Sequence, residues 1–185
     1  MNKIKTPRLI IKSLQVEDVS NKYIDWLNDI EINQYLEVRF KVHNYESCVE
    51  FIKKMQEDEN EELFGIFTND KNNEHIGNCK LGVISKAHLS ADVSFLIGNK
   101  NFWGKGYATE MLRYFVDYGF ENLGLEKITA GCYEHNQPSI KVLMKTGFIV
   151  EDTLKDQVIC NSKRQKLYIF GLRKDSKGRK PLKLP

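Results

Sequence analysis

The stretch "NFWGKGYATEML", Asn101 to Leu112, places two glycines around a lysine and then turns into good helix formers. A glycine-rich turn opening a helix suits an anion. The first N–H groups of a helix have no internal partner, and the helix dipole favours negative charge there. Glycine lets the backbone approach a ligand without a Cβ in the way. The N–H groups of Gly104, Lys105, Gly106, Tyr107, Ala108 and Thr109 would then wrap a pyrophosphate. The alternative is that both glycines serve only a tight turn. A Walker A loop is absent. A dinucleotide fingerprint fails because its third glycine position is Thr109, and because the acidic Glu126 precedes the next strand instead of ending it.

These residues need elements to hold them. "RLIIKSL" reads as a strand, followed by two short helical patterns in "VEDVSNKYIDWLND" and "DIEINQYLEV". "NYESCVEFIKKMQ" puts Cys48, Phe51, Ile52 and Met55 at helical spacing. "LFGIFT" and "HIGNCKLGVI" form an antiparallel pair across the turn "NDKNNE", and "ADVSFLIG" is a third strand leading into the glycine turn. Ala108, Met111, Leu112, Phe115 and Gly119 then describe an amphipathic helix. After the strand "KITAGCY", the helix "NQPSIKVLMKTGF" is punctuated by Asn136 as N-cap, Pro138 in the first turn and Gly147 at the stop. "KLYIFGL" closes the fold, giving an α/β (α+β) class with helices on both sheet faces.

Two of these segments, in this order, resemble the GNAT superfamily of acyl-coenzyme A dependent N-acetyltransferases. "NFWGKG" after "ADVSFLIG" matches its acetyl-CoA signature, [QR]-x-x-G-x-[GA] after a bent strand. Asn136, Ser139, Gly147 and Phe148 match its second signature. "TPRLIIKSL" is similar to the opening of the branch containing ribosomal-protein alanine acetyltransferases. The resemblance covers nearly the whole chain. It implies a mixed, mostly antiparallel sheet of about six or seven strands, splayed at the acetyl-CoA site. Asn101 departs from the family's Gln or Arg, which leaves the backbone cradle untouched.

The resemblance implies that the strand before the glycine turn carries a bulge. The pantetheine arm would lie in the opening against the backbone of Phe95, Leu96 and Ile97, and would contact Asn136 and Ser139. A backbone N–H there would hold the developing oxyanion. Asp92 falls where several relatives carry a glutamate base; its other reading is a charge on a solvent face. His135 is the second candidate base, or else a polar loop residue. Many relatives place a tyrosine acid where this chain has Leu143, so Ser139 would bond the sulfur, or the thiolate leaves unaided. Direct transfer in a ternary complex follows.

For the acceptor, "YLEVRFKVHNYES" gathers Glu37, Arg39, Phe40 and His43 in one loop. Arg39 offers a fork for phosphate and Phe40 a ring for a base or sugar, or Arg39 pairs with Glu37. "WLNDIEINQYLEVRF" resembles acetyltransferases of nucleotide-linked amino sugars. The acceptor would be such a sugar nucleotide. A protein N-terminus or a small amine such as an aminoglycoside is the second reading, with Glu37 lining an acidic groove. A third is an acyl-CoA binding module without turnover.

Bulk composition narrows the partners. Arg173 to Pro185 carries six basic residues and one acidic one, a local +5 that leaves about −2 for the rest of a chain whose net charge is +3. The body is therefore no nucleic-acid binder. Residues 1–174 read as one domain and 175–185 as a basic tail, either a solvated terminus like "EDENEE", Glu57 to Glu62, or a segment that touches phosphate or a membrane surface. No apolar run reaches the ~18 residues of a membrane span, and the N-terminus lacks a signal peptide. Cys48, Cys79, Cys132 and Cys160 form no CxxC pair and read as small, reduced, buried residues in a cytoplasm. The histidines show no metal spacing. A monomer or homodimer is expected.

Overall fold

The computed structural model describes residues 3–176; the basic tail lies almost entirely outside them. Eight strands form one sheet: β1 (Lys3–Lys5), β2 (Leu9–Ser13), β3 (Glu62–Thr68), β4 (His75–Ser85), β5 (Ser90–Ile97), β6 (Lys127–Tyr133), β7 (Ile149–Cys160) and β8 (Lys163–Arg173). Their order is β1-β2-β3-β4-β5-β6-β8-β7. Every neighbouring pair is antiparallel except β5 and β6. The helices are α1 (Asn21–Asn28), α2 (Ile30–Asn33), α3 (Tyr45–Glu57), α4 (Tyr107–Glu121) and α5 (Gln137–Lys145).

The two sheet faces are covered unequally. On one face α4 and α5 bury a large core in which Phe64, Phe115, Phe120, Phe148 and Phe170 are inaccessible. On the other, α1 and α3 cover the β2–β3 side through Tyr23, Trp26, Leu27, Cys48 and Ile52 on Leu14 and Phe67. Asn44 starts α3 by accepting from the Ser47 amide at 2.9 Å. The stripe it buries is Cys48, Ile52 and Met55; Phe51, expected on that stripe, lies at its edge and is 41% exposed.

Several local expectations change. "DIEINQYLEV" yields only the four-residue α2 and a separate 3-10 turn, Glu37–Phe40. Asp29 caps α2 through the Glu31 amide, and buried Asn33 turns its side-chain amide onto the Leu27 carbonyl at 2.6 Å, competing with helix continuation. The sheet gains β1 and β7 beyond the strands read from sequence, making eight instead of six or seven. β7 is an edge strand, mostly exposed and rich in charge, so it lacks the alternation that marks a half-buried strand. Glu61 and Glu62 are not solvated: Glu61 pairs with Lys80 at 2.7 Å, and Glu62 accepts from the Tyr118 hydroxyl at 2.8 Å. All four cysteines are buried and unbridged. Among the described residues no helix is long and apolar enough to cross a membrane, and no cluster of metal ligands occurs.

β4 fixes where β5 lies. A Cβ at Gly77 would run into the carbonyl oxygen of Leu96 on β5, and main-chain atoms cannot swing aside as a side-chain tip can. Gly77→Ala is expected to destabilise the fold by about 1–3 kcal/mol, read as a lowered urea midpoint at unchanged m-value.

Candidate active site

The parallel pairing of β5 with β6 ends early. It runs Ser90↔Lys127, Ala91↔Ile128, Asp92↔Thr129 and then stops, although both strands continue. Beyond Asp92 the other edge of β5 stays paired to β4, as far as Ile97↔Gly77. The Gly98 amide donates to Ile76 on that side, so strand alternation turns the backbone groups of Val93, Phe95 and Ile97 towards β6. There they face a gap. Trp103 Nε1 closes off one of them by donating to the Ile97 carbonyl at 2.6 Å. The Phe95 amide and carbonyl are left for an extended chain to pair with. The expected splay is present; the bulge is on β4, not β5, where Val83 adopts φ 51° opposite Ala91.

Because β5 and β6 are parallel, the helices that follow them begin at the same end of the gap. α4 starts at Gly106, whose φ is 82°, and Gly104 has φ 69° with open space where a Cβ would sit. A glycine N-cap has no side chain to satisfy the first N–H groups, so those of Tyr107, Ala108 and Thr109 stay available in an exposed turn. That arrangement fits a pyrophosphate. At α5, Asn136 caps through the Ser139 amide at 3.3 Å. The Ser139 hydroxyl makes no hydrogen bond among the described residues and is free for a ligand.

Asp92 sits at the apex of the gap, on the face opposite the large core. Thr129 Oγ1 donates to its Oδ2 at 3.3 Å and to the Ala91 carbonyl at 3.4 Å. Burial pushes the Asp92 carboxyl up to about 6; the Thr129 hydrogen bond and Lys80 oppose that rise, and Glu61 adds to it. His135 is exposed, beyond the end of β6, and its ring accepts or donates no hydrogen bond among the described residues. Of the two candidate bases, only Asp92 stands where the gap opens.

The loop residues assemble differently from a phosphate fork. The Arg39 side chain is 8% exposed and spends its donors within the protein. Nη1 donates to Leu36 at 2.8 Å, while Nη2 donates to the Tyr133 hydroxyl at 3.0 Å and to Ile159 at 2.9 Å. It also stacks on Phe40. Its 3.8 Å ion pair with Glu37 is the alternative read from sequence. Glu37, 74% exposed, accepts from Tyr133 at 2.6 Å. His43 staples its own loop, with Nε2 at 2.9 Å from the Val38 carbonyl. Tyr35 and Tyr133 meet edge to face, and Tyr35 donates to the His135 carbonyl at 3.3 Å. Thr129, the exposed Gly131 and Tyr133 share one face of β6, which makes a bare floor running from Asp92 towards Glu37.

Sequence reading missed Arg8, Thr129, Tyr133 and the Lys80–Glu61 pair. Arg8 meets Glu110 from 102 residues away, a separation no local pattern reports. Thr129 and Tyr133 were legible only as members of a strand.

Comparison with known proteins agrees with this geometry. The model of the acetyltransferase (GNAT) domain matches residues 8–149. "Uncharacterized N-acetyltransferase p20" of Bacillus licheniformis is 28% identical over 176 residues, covering 94% of this chain and 97% of that protein. The spermidine N(1)-acetyltransferase of Escherichia coli K12 is 32% identical over 88 residues, 48% of this chain and 47% of its own. Among solved structures, Vibrio cholerae spermidine N-acetyltransferase in complex with CoA and spermine superposes with a TM-score of 0.82 at 22% identity, covering 92% of this chain and 98% of that one. The chain belongs to the GNAT acetyltransferase family, and it is an N-acetyltransferase with acetyl-CoA as co-substrate.

Asp92 also makes a prediction about stability. Its folded-state value lies above the ordinary one, so ionisation opposes folding as the pH rises through about 6. Asp92→Asn removes that charge and is expected to stabilise the protein at pH 7.5 by up to about 3 kcal/mol, with the gain vanishing near pH 4. Thermal unfolding across pH reads both.

Proposed function

We propose that this acetyltransferase transfers acetyl directly, in a ternary complex, to a primary amine of a small cationic acceptor of the polyamine kind. The observation that carries the mechanism is Asp92, a desolvated carboxylate at the apex of the gap. An alkylammonium, with an ordinary pKa of about 10, must lose a proton before it can attack. Asp92 takes that proton, through one water. The amine nitrogen then bonds to the thioester carbon while the backbone amide at Phe95 holds the oxyanion. The nitrogen gives up its second proton to water as the C–S bond breaks, and CoA leaves as thiolate, with the Ser139 hydroxyl donating a hydrogen bond to the sulfur.

The acceptor class rests on charge. Arg39, the donor a nucleotide phosphate would need, is consumed by Leu36, Tyr133 and Ile159. What stands in solvent reach instead is the Glu37 carboxylate, held by the buried Tyr133 hydroxyl, an anion that suits a second ammonium group. The spermidine acetyltransferases among its relatives support the same class. A nucleotide-linked amino sugar is the second reading, favoured by Phe40, whose 66% exposed ring can stack on a base. All these groups come from one chain, so a monomer or a homodimer serves equally. Unbridged cysteines fit work in the reducing cytoplasm.

The test is CoA thiol release with spermidine, UDP- and dTDP-linked amino sugars, aminoglycosides and short peptides. Turnover is expected with the polyamine, and turnover with a sugar nucleotide alone overturns the acceptor class. Glu37→Gln should raise KM for the amine about ten-fold, roughly 1.4 kcal/mol, with kcat little changed. Asp92→Asn should lower kcat by about 10²–10⁴-fold. In the parent protein kcat/KM should fall as the pH drops through about 6, the value of Asp92. A profile flat from pH 5 to 8 excludes it as the base.

A further inference from the structure

One arginine outside every acetyl-CoA motif reaches into the glycine turn. Arg8 stands where the chain enters β2, yet its Nη1 donates to the Lys105 carbonyl at 3.0 Å. Its Nε donates to Glu110 Oε2 at 2.5 Å, and its backbone amide to Glu110 Oε1 at 2.9 Å. Thr6 Oγ1 donates to the same Oε1 at 2.6 Å. The guanidinium lies 4.2 Å from the centre of the Tyr107 ring, and Nη2 is 3.6 Å from where a Cβ on Gly106 would sit.

We propose that Arg8 is a positioning residue that aims the phosphate cradle and cancels the one charge that would oppose its ligand. In a trans peptide the C=O and the following N–H point in opposite directions. Holding the Lys105 carbonyl on Arg8 therefore turns the Gly106 N–H away from Arg8, towards the mouth of the turn. Glu110 lies in the first turn of α4, at the helix end where the phosphates would bind. Its burial alone would raise its carboxyl, but the bonds from Thr6 and Arg8 and the Arg8 charge hold it below the ordinary value, so it stays ionised. Unpaired, that carboxylate would repel a pyrophosphate; paired with Arg8, it becomes the anchor of the guanidinium. The proposal rests on the reading that the glycine turn holds the phosphates of acetyl-CoA.

The experiment compares Arg8→Gln and Arg8→Lys with the parent protein by calorimetry with CoA, and by kinetics with acetyl-CoA and with the acetyl thioester of N-acetylcysteamine, which has no phosphates. Arg8→Gln is expected to raise the CoA Kd and the acetyl-CoA KM about ten-fold or more. kcat should stay within about two-fold, and kcat/KM for the truncated thioester should not change. Arg8→Lys keeps the charge but loses the fork, and should fall between the two. An unmoved CoA Kd in both variants overturns the proposal, as does an equal loss with both thioesters. Should Arg8→Gln not fold, the Kd of Arg8→Lys decides alone: a rise supports the clamp and no change overturns it. A parent protein that fails to bind CoA at all refutes the cradle reading itself.

Discussion

The site depends on a hydrogen-bond ladder that stops. β5 and β6 share three residue pairs and then part, and everything chemical in this protein is arranged around that parting. A parallel pair carried to its end would satisfy Val93, Phe95 and Ile97 with β6 and leave nothing for a ligand to pair with. The separation is possible because each strand is held from its other side, β5 by β4 and β6 by β8 along its full length. Parallel direction matters as much as separation, since it brings the starts of α4 and α5 to one end of the opening. The positive ends of two helix dipoles then flank one gap, while Asp92, the base in the proposed mechanism, sits at its closed end.

Charge is handled locally around that gap. Asp92 is kept from a lower proton affinity by burial, with Thr129 and Lys80 pulling the other way; the balance leaves it able to exchange protons near neutrality. Glu110 is treated oppositely, clamped by Arg8 and Thr6 until it is fixed as an anion. Arg39, the third conspicuous group, is a strut joining the 3-10 turn to β6 and the end of β7. Three charged side chains of similar appearance in sequence thus have three different physical fates. Burial and partner, not residue type, decide among them.

That difference explains what the sequence disclosed. Segments with one strong local signature were readable: the glycine turn, the Asn136 cap, the alternation of "ADVSFLIG", the stripe of α4. Asp92 is legible as an acid on the strand before the glycine turn, but the rise in its proton affinity comes from burial, with Glu61 adding to it, and both depend on parts of the chain distant in sequence. The phosphate-fork reading of Arg39 was plausible from chemistry alone, because nothing within its own loop reveals Tyr133 or Ile159. Arg8 was unreadable for the same reason. β7 escaped because an edge strand exposed along most of its length needs no hydrophobic alternation.

The unequal cover on the two sheet faces has a consequence for how such a chain can diverge. Under α4 and α5, five inaccessible phenylalanines interlock, and an exchange there disturbs neighbours on several elements at once. The opposite face beyond β5 carries the exposed Gly131, a short 3-10 turn and side chains that end in solvent. Replacements on that side alter what the groove admits while leaving the buried lattice intact. The gap thus has one wall set by the buried lattice and another, around Gly131 and Glu37, that solvent reaches, so its shape can change there without rebuilding the large core.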